Sequence, residues 1–542
     1  MIQLRKAFSW DQIQSSHRLM FLIVLVLGLF NLFWGEKVPA GSGLGWDGVI
    51  YADMVRNLGL IISGGHLSSY YAQRILPSVI VRWMLLLSGL PMSNSNIIYG
   101  YEVYNLVLLL GACWVWKRVS DAVHLRLAGR WIGFSGIFVN YACSKQAFYY
   151  PVLTDVTALF IAMLLLLFYV ENKPVSLFIA TVIGAFTWPV VSIYGAILLL
   201  FIRAELPKDI VAPATTIYTI KGVSTAYFVL CGYISLFVLS FIGYIIMTQV
   251  GPSLNLQCKV PAIFAHAFPR FVASCTPRRE LIGFERLLTG LPSFIGMLIV
   301  LAMLIGSRRF IRSVITCIRK TQLAIIILSI AAILVPFCIV KAISNPGYKS
   351  GGSLKGLIMG ALLPPEGKFL LPLVTLSVFL GPLLLLIILT WKAFCVESRR
   401  LGPGVVAIIG ISMFLGLVCE PRFLTAAWPF IVVVFVLTFE KLRTSTYFKI
   451  VLSVLTILYA QFWMKYNLAP WSALDSQGLK DYPKQIYFMH YGLWMSWWSY
   501  AIQFTALVLS ALWLSKTISK SGNDSDYLCD NSSCKATEEG SL

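Results

Sequence analysis

Two carboxylates near the start of this chain have the chemistry of a general base. Asp47 and Asp53 lie in the segment Gly45-Trp46-Asp47-Gly48-Val49-Ile50-Tyr51-Ala52-Asp53, which directly follows a long apolar run. A positioned carboxylate can take the proton of a hydroxyl group as that group attacks an electrophilic carbon. Because the apolar run is long enough to cross a bilayer, we expect this chemistry to take place at a membrane surface.

The spacing in this segment predicts a helix over residues 46–58 that carries only one of the two acids on its inner face. The predicted inner positions recur at intervals of about three and four residues: they are Asp47, Ile50, Tyr51, Met54, Val55 and Leu58. Asp53 lies about 240° around the helix from Asp47, so the two acids do not form a pair on one face. Asp53 is expected to pair with Arg56 or to be solvated, and helix capping is the alternative role for Asp47.

Two arginines could hold a phosphate group. Arg74 ends the segment Tyr70-Tyr71-Ala72-Gln73-Arg74, and Arg422 lies in Glu420-Pro421-Arg422-Phe423. A guanidinium group can bind two phosphate oxygens through parallel hydrogen bonds. The residues leave two alternatives open, which are contact with anionic lipid for Arg74 and an ion pair with Glu420 for Arg422.

A further acid, Asp155, opens a later apolar run. It follows Tyr149-Tyr150-Pro151-Val152-Leu153-Thr154. An ionisable residue at a helix entrance is costly unless it stabilises the helix end or serves a site, and both roles stay open for Asp155. One or two isolated acids do not make a metal site, so no metal ligand is predicted, although a divalent ion beside Asp47 stays open.

Composition places these residues in a polytopic, all-α integral membrane protein. The chain has 542 residues, of which 58% are hydrophobic and 12% charged, and its mean hydropathy is +0.80. Its formal net charge of +20 could suggest a nucleic-acid partner. The basic residues cluster in short loops between apolar runs, where membrane topology explains them, so we predict no nucleic-acid binding. The 11 cysteines show no paired spacing that indicates zinc.

The apolar runs predict about 12 to 14 transmembrane helices in a single membrane domain over residues 1–520. The candidate spans are 19–35, 97–116, 130–144, 152–170, 175–187, 189–202, 222–249, 289–306, 322–344, 369–391, 402–418, 423–440, 446–463 and 494–515. The segment 175–202 is interpreted as a hairpin rather than one kinked helix.

Alternation of these spans places every short basic loop, and both chain termini, in the cytoplasm. Residues 36–96 then form a large first external loop that contains a re-entrant or interfacial helix over 75–90. Cys258 and Cys275 share another external segment, where they could form a disulfide. Residues 521–542 are predicted to be a disordered cytoplasmic tail.

The arrangement resembles the integral-membrane glycosyltransferases of the C superfamily (GT-C). The residues that carry the resemblance are the aspartate in Trp46-Asp47-Gly48-Val49-Ile50-Tyr51, the acid in Thr154-Asp155, and the late Glu420-Pro421-Arg422-Phe423. The adjacent acid pair that is familiar in that superfamily, Asp-Asp or Asp-Glu, is missing here.

The resemblance implies transfer of a sugar from a polyprenyl-phosphate donor to an extracytoplasmic glycan, lipid or protein. Asp47 would be the base, with Asp53 as second choice, and Arg74 or Arg422 would hold the donor phosphate. Asp155, Tyr51 and Glu420 complete the predicted substrate-binding set. The lipid-linked donor is the co-substrate, no cofactor is assigned, and the expected location is the bacterial inner membrane.

Two other functions stay open. A transporter or flippase for a lipid-linked or anionic solute would line a central cavity with cations, but should place ionisable residues in the middle of its spans. A polysaccharide polymerase or ligase would also act outside the membrane on polyprenyl carriers. Most ionisable residues lie at span ends instead, which disfavours the transporter. The acid in the first external loop favours transfer of a single sugar over the polymerase or ligase.

Overall fold

The computed structural model describes residues 2–202, 293–306, 308–345, 368, 370–442, 444–467, 495 and 497–535. It is 80% helical, and no strand occurs in these residues. The predicted all-α class is therefore confirmed for this part of the chain. The predicted span over 222–249 and the cysteines Cys258 and Cys275 lie outside the described residues.

The helices of the N-terminal part, up to residue 202, include both long and very short segments. They are α1 (Ile2–Trp34), α2 (Asp47–Ser63), α3 (Ser69–Ala72), α4 (Leu76–Leu87), α5 (Asn94–Ala122), α6 (Leu127–Phe138), α7 (Ala147–Tyr149), α8 (Asp155–Val170), α9 (Pro174–Gly184) and α10 (Pro189–Leu200). A 3-10 helix at Ala40–Gly43 precedes α2, and a π-helix at Ala142–Gln146 precedes α7.

The described residues after 292 continue the helical pattern. Their helices are α11 (Ser293–Ile305), α12 (Arg308–Lys320), α13 (Leu323–Ile343), α14 (Leu371–Leu380), α15 (Leu383–Leu389), α16 (Trp391–Leu401), α17 (Pro403–Gly416), α18 (Trp428–Phe439), α19 (Thr446–Ala460) and α20 (Trp497–Lys535). A 3-10 helix at Pro421–Leu424 connects α17 to α18.

Fewer helices than predicted are long enough to span a membrane. In the described part of the chain, 4 helices are long and apolar enough to cross a membrane. The number of candidate spans rises to 5 if α11 and α12, which are bent against each other, are counted together as one span. The qualifying segments are Gln14–Trp34, Asn94–Ala122, Leu323–Ile343 and Ser499–Ile518. Several long apolar helices are compatible with a membrane protein. The other apolar helices, such as α8 and α18, have 10–17 residues.

Proline and glycine account for breaks that shorten some of these apolar helices. The predicted span 369–391 is divided between α14 and α15 at Gly381, where φ is +87°, and the adjacent Pro382. A proline ring clashes with the preceding helical turn and removes a backbone donor, so a helix tends to end before it. Because the run 369–391 is apolar on both sides of Gly381-Pro382, hydropathy does not detect the helix break there.

The prediction of a hairpin over 175–202 is confirmed. Trp188 adopts an extended conformation with φ −152° and ψ 124° directly before Pro189, which separates α9 from α10. The two helices pack against each other, and α10 also packs against α13. This arrangement places Trp188 at the turn between the two helices.

The segment 36–96 contains α2, which carries Asp47, Tyr51 and Asp53, together with α3 and α4. The helix predicted over 46–58 is confirmed as α2, and α4 lies within the segment 75–90 that was expected to be helical. α2 packs against α4, and α4 packs against α5. Since α5 also packs against α8, α2 and α4 are connected to α8 through α5.

Two segments differ from the sequence-based expectation at the level of secondary structure. The basic residues around 308–320 form the helix α12 rather than a loop. α20 continues to Lys535, whereas disorder is predicted from Ser521 onwards, and residues 536–542 lie outside the described part.

Candidate functional site

Two glycines hold the N-terminus of α2 against the segment that precedes α8. Gly45 has φ +76°, and a Cβ atom there would lie 2.1 Å from the ring of Tyr150. The backbone N–H of Gly48 donates to the Tyr150 hydroxyl at 3.3 Å, and a Cβ at Gly48 would lie 3.0 Å from Cβ of Val152. The motif around Asp47 is therefore shaped by a close approach that only small residues permit.

Asp47 forms an ion pair with Arg422, which lies in the 3-10 helix between α17 and α18. Nη1 of Arg422 donates to Oδ2 of Asp47 at 3.2 Å. Nε of the same guanidinium group donates to Oε1 of Glu420. All three side chains are partly buried. The structure thus brings together three residues that the sequence singled out separately, and the expected pair of Arg422 with Glu420 is present beside the pair with Asp47.

Arg74 lies between two aromatic rings next to this ion pair. Its side chain is 3% exposed, and its guanidinium carbon lies 3.9 Å from the ring centre of Tyr70 and 4.4 Å from that of Trp188. Nε and Nη1 of Arg74 have no hydrogen-bond partner among the described residues. The ring of Trp188 in turn lies 5.9 Å from that of Phe423, the residue after Arg422. The stacked cation is therefore next to the turn that carries Arg422.

Asp155 is the first residue of α8, as the sequence predicts, and belongs to the same electrostatic cluster. It is buried, and neither carboxylate oxygen has a hydrogen-bond partner in the described part of the chain. Arg422 and Arg74 attract its charge, whereas Glu420 and Asp47 repel it. The cluster thus contains three carboxylates and two guanidinium groups.

A small cavity of about 20 Å³ lies against Asp155. Asn105 and Thr425 also line it, and Oδ1 of Asn105 and Oγ1 of Thr425 have no hydrogen-bond partner among the described residues. The amide nitrogen of Asn105 donates to the carbonyls of Ala147 at 2.8 Å and Pro151 at 3.1 Å, which leaves its oxygen facing away from them. A cavity of this size has room for about one water molecule, although most of its lining is apolar.

Tyr51 and Tyr71 complete one side of the site. The inner face predicted for α2 is confirmed at Tyr51, which is 1% exposed, but it is wrong at Ile50, which is 38% exposed. The Tyr71 ring meets that of Tyr51 edge to face at 5.9 Å. Burial, and after it the nearby Asp47 carboxylate, raises the pKa of Tyr71 to about 12. Tyr71 therefore keeps its proton at physiological pH and can donate a hydrogen bond.

Asp53 lies apart from the cluster on the exposed side of α2. Its Oδ1 accepts a hydrogen bond from Nδ2 of Asn57 at 2.8 Å. Of the two expectations for Asp53, solvation holds, because its side chain is exposed. Nε of Arg56 donates to the carbonyl of Met92 at 3.1 Å instead of pairing with Asp53. The six-residue spacing separates the two acids as the sequence predicts.

Sequence reasoning missed the site's supporting residues. Trp188 lies in the hairpin predicted over 175–202 but was not proposed for the site, although an aromatic residue at a predicted outer helix end is also a signal for a site. Tyr150 was noted only as part of the segment before Asp155. Asn105 and Thr425 carry no local signal, because only tertiary packing brings α5 and the end of the 3-10 helix before α18 to one cavity.

The arrangement can bind an anion and accept a proton. The Arg422 guanidinium group forms an ion pair with the Asp47 carboxylate, and the Arg74 guanidinium group lies close enough to Arg422 for their charges to repel. No group of three or more His, Cys, Asp or Glu residues in the described ranges is placed to hold a metal ion.

Comparison with known proteins yields no relative from which a function could be taken. No family model matches this chain, and neither a curated protein nor a solved structure matches it. Its function must therefore be inferred from its own residues.

Proposed function

We propose that this chain is an integral membrane glycosyltransferase that moves one sugar from a polyprenyl-phosphate donor to an extracytoplasmic glycan, lipid or protein. The observation that supports it is the contact between Asp47 and Arg422 at 3.2 Å. A base for the acceptor hydroxyl and a cation for the leaving phosphate must lie near one another, because the attacking oxygen and the leaving phosphate oxygen are both bonded to the same anomeric carbon in the transition state. Asp47 and Arg422 have these two chemistries.

In the proposed reaction, the donor phosphate replaces the Asp47 carboxylate as the partner of the Arg422 guanidinium group. Since a phosphate and a carboxylate compete for the same donors, phosphate binding frees Asp47 from its ion pair. The acceptor oxygen bonds to the anomeric carbon while its proton passes to Asp47. The bond between that carbon and the phosphate oxygen breaks, and its electron pair goes to the phosphate, whose growing charge Arg422 neutralises.

Arg74 is the second phosphate ligand in this proposal. Its guanidinium faces are covered by Tyr70 and Trp188, so hydrogen bonds must be made at its edge. Nε and Nη1 lie at that edge and have no partner among the described residues. A buried guanidinium group with unused donors is costly unless an anion or water satisfies them, which supports an anionic substrate.

The same proposal includes a GT-C-like topology. The shorter apolar helices would complete the 12 to 14 spans, with residues 36–96 and the site outside the membrane and both termini in the cytoplasm. The bacterial inner membrane would be the location. The membrane helices of transporters and transferases alike tolerate proline breaks where neighbouring helices satisfy the freed backbone, so short helices fit this topology.

The test is sugar transfer in membranes that contain the full chain, compared with membranes from cells that lack it. A panel of polyprenyl-phosphate sugars, each radiolabelled in the sugar, is offered, and label in endogenous acceptors is measured. We expect transfer from one donor class. If no donor is used, and reconstituted vesicles instead carry a labelled lipid-linked sugar across the bilayer, the transport alternative replaces this proposal.

A further inference from the structure

α12 has a basic stripe on one side of the helix. It contains Arg308, Arg309, Arg312, Arg319 and Lys320 and no acidic residue. At about 100° per residue, the positions of Arg308, Arg312 and Arg319 fall within about 40° of one another on the helix. All three side chains are exposed. The stripe therefore has no acidic partner within its own helix.

An exposed apolar stripe runs beside the basic one. Ile311, Ile315 and Ile318 are 47%, 45% and 38% exposed, and their spacing of three and four residues puts them on one face. The rest of the apolar side is turned towards the protein, because Phe310 is buried in the core and Val314 packs against it. Around the helix, the order is thus protein contact, exposed isoleucines and then arginines.

The position of α12 in the chain puts it at a membrane boundary. It ends at Lys320, and α13 begins at Leu323 with a mean hydropathy of 3.1, the highest among the candidate spans of the described residues. At the N-terminal end of α12, the chain bends by 64° between α11 and α12. Nη1 of Arg399 donates to the carbonyl of Leu304 at 3.1 Å, which ties the end of α11 to α16.

We infer that α12 lies in the plane of the membrane interface and binds anionic phospholipid headgroups. Arg308, Arg312 and Arg319 meet the phosphates, and the exposed isoleucines enter the boundary of the acyl chains. A helix with one basic and one apolar face is the type that adsorbs to anionic membranes. The direct continuity of α12 with α13 favours lipid over an acidic protein as the occupant. This inference does not depend on the proposed function.

The test uses the purified full chain in a neutral detergent, titrated with dioleoylphosphatidylglycerol or with dioleoylphosphatidylcholine. The thermal unfolding midpoint is followed, because a ligand that binds the folded state raises it. The variant is Arg312→Gln with Arg319→Gln. The matched control is Lys392→Gln with Lys449→Gln, which removes the same charge from two exposed lysines elsewhere.

We expect the anionic lipid to raise the midpoint of the wild-type chain and of the control at lower concentration than the neutral lipid. The α12 variant should need about 30-fold more anionic lipid, since each charge near an anionic surface changes the binding constant about fivefold. Its midpoint without lipid should match the wild type, because the two arginines are exposed. Equal responses of variant and control, or no preference of the wild type for the anionic lipid, would overturn the inference. So would saturable binding of an acidic protein to α12 that excludes the lipid.

Discussion

Asp47 on α2 and Arg422 between α17 and α18 lie 375 positions apart in the chain, and their side chains form an ion pair at 3.2 Å. The pair connects the segment 36–96 with the last third of the described residues. It also keeps a candidate base beside a candidate phosphate ligand. The first prediction concerns the strength of this connection.

Asp47→Asn and Arg422→Gln should destabilise the protein by amounts that do not add. Both side chains are partly exposed to solvent, which weakens the attraction, so we expect a coupling of only about 1 kcal/mol. Unfolding of the single and double variants in detergent measures it. The control cycle pairs Asp53→Asn with Arg422→Gln, for which the effects should add to within about 0.5 kcal/mol. Equal coupling in both cycles would show that the ion pair contributes nothing specific.

Gly45→Ala should lower the thermal unfolding midpoint. The residue has φ +76°, and the new Cβ would lie 2.1 Å from the Tyr150 ring, so the turn or the ring must move. The strained φ alone costs about 1–2 kcal/mol. The control is Gly59→Ala in the middle of α2, where a Cβ meets nothing within 4 Å. That variant should be neutral or more stable, because alanine favours a helix. A Gly45→Ala protein as stable as the control would contradict this account of the motif.

Trp188→Leu should weaken binding of the lipid-phosphate donor. It removes one of the two rings that hold the Arg74 guanidinium group in place. Loss of a buried cation–π contact is worth up to about 2 kcal/mol, which corresponds to a rise in KM of up to about 30-fold. Trp83→Leu is the matched control, because Trp83 is exposed on α4. Donor KM values that rise equally in both variants would argue against a role of Trp188 in the site.

Asp155→Asn should tighten binding of the anionic donor. The cluster has three carboxylates against two guanidinium groups, and Asp155 interacts with both arginines. Without the charge of Asp155, the two arginines attract a phosphate more strongly, so the donor KM at mildly alkaline pH should fall several-fold. Thr425→Val changes the same cavity without a change in charge, and it should leave KM close to the wild-type value. A higher KM in Asp155→Asn would mean that Asp155 contacts the substrate directly.

Local patterns in the sequence were sufficient for some elements and insufficient for others. The helix α2, the separation of Asp47 from Asp53 and the start of α8 at Asp155 follow from residue spacing. Span lengths could not be obtained from hydropathy, because breaks such as Gly381-Pro382 occur inside apolar runs. The stacking of Arg74 on Trp188 joins two distant segments, and no local signal contains such a contact.

The basic segment 308–320 also carries a helical periodicity, which the rule that places basic loops in the cytoplasm does not use. Arg312 and Arg319 were assigned to a cytoplasmic loop, yet they belong to an amphipathic helix. Periodicity at three and four residues was present in Ile311, Ile315 and Ile318. A helical interpretation of every basic segment, rather than a count of its charges, would have identified α12.

The most direct measurement of the central claim is the rate of sugar transfer by Asp47→Asn and Asp53→Asn at matched expression, with the donor that the wild type uses. Both substitutions are made on α2 and remove the same charge. We predict that Asp47→Asn loses about 10²- to 10⁴-fold in rate, as removal of a general base does, and that Asp53→Asn keeps the wild-type rate. Full activity in Asp47→Asn, or loss in Asp53→Asn alone, would contradict the assignment of Asp47 as the base.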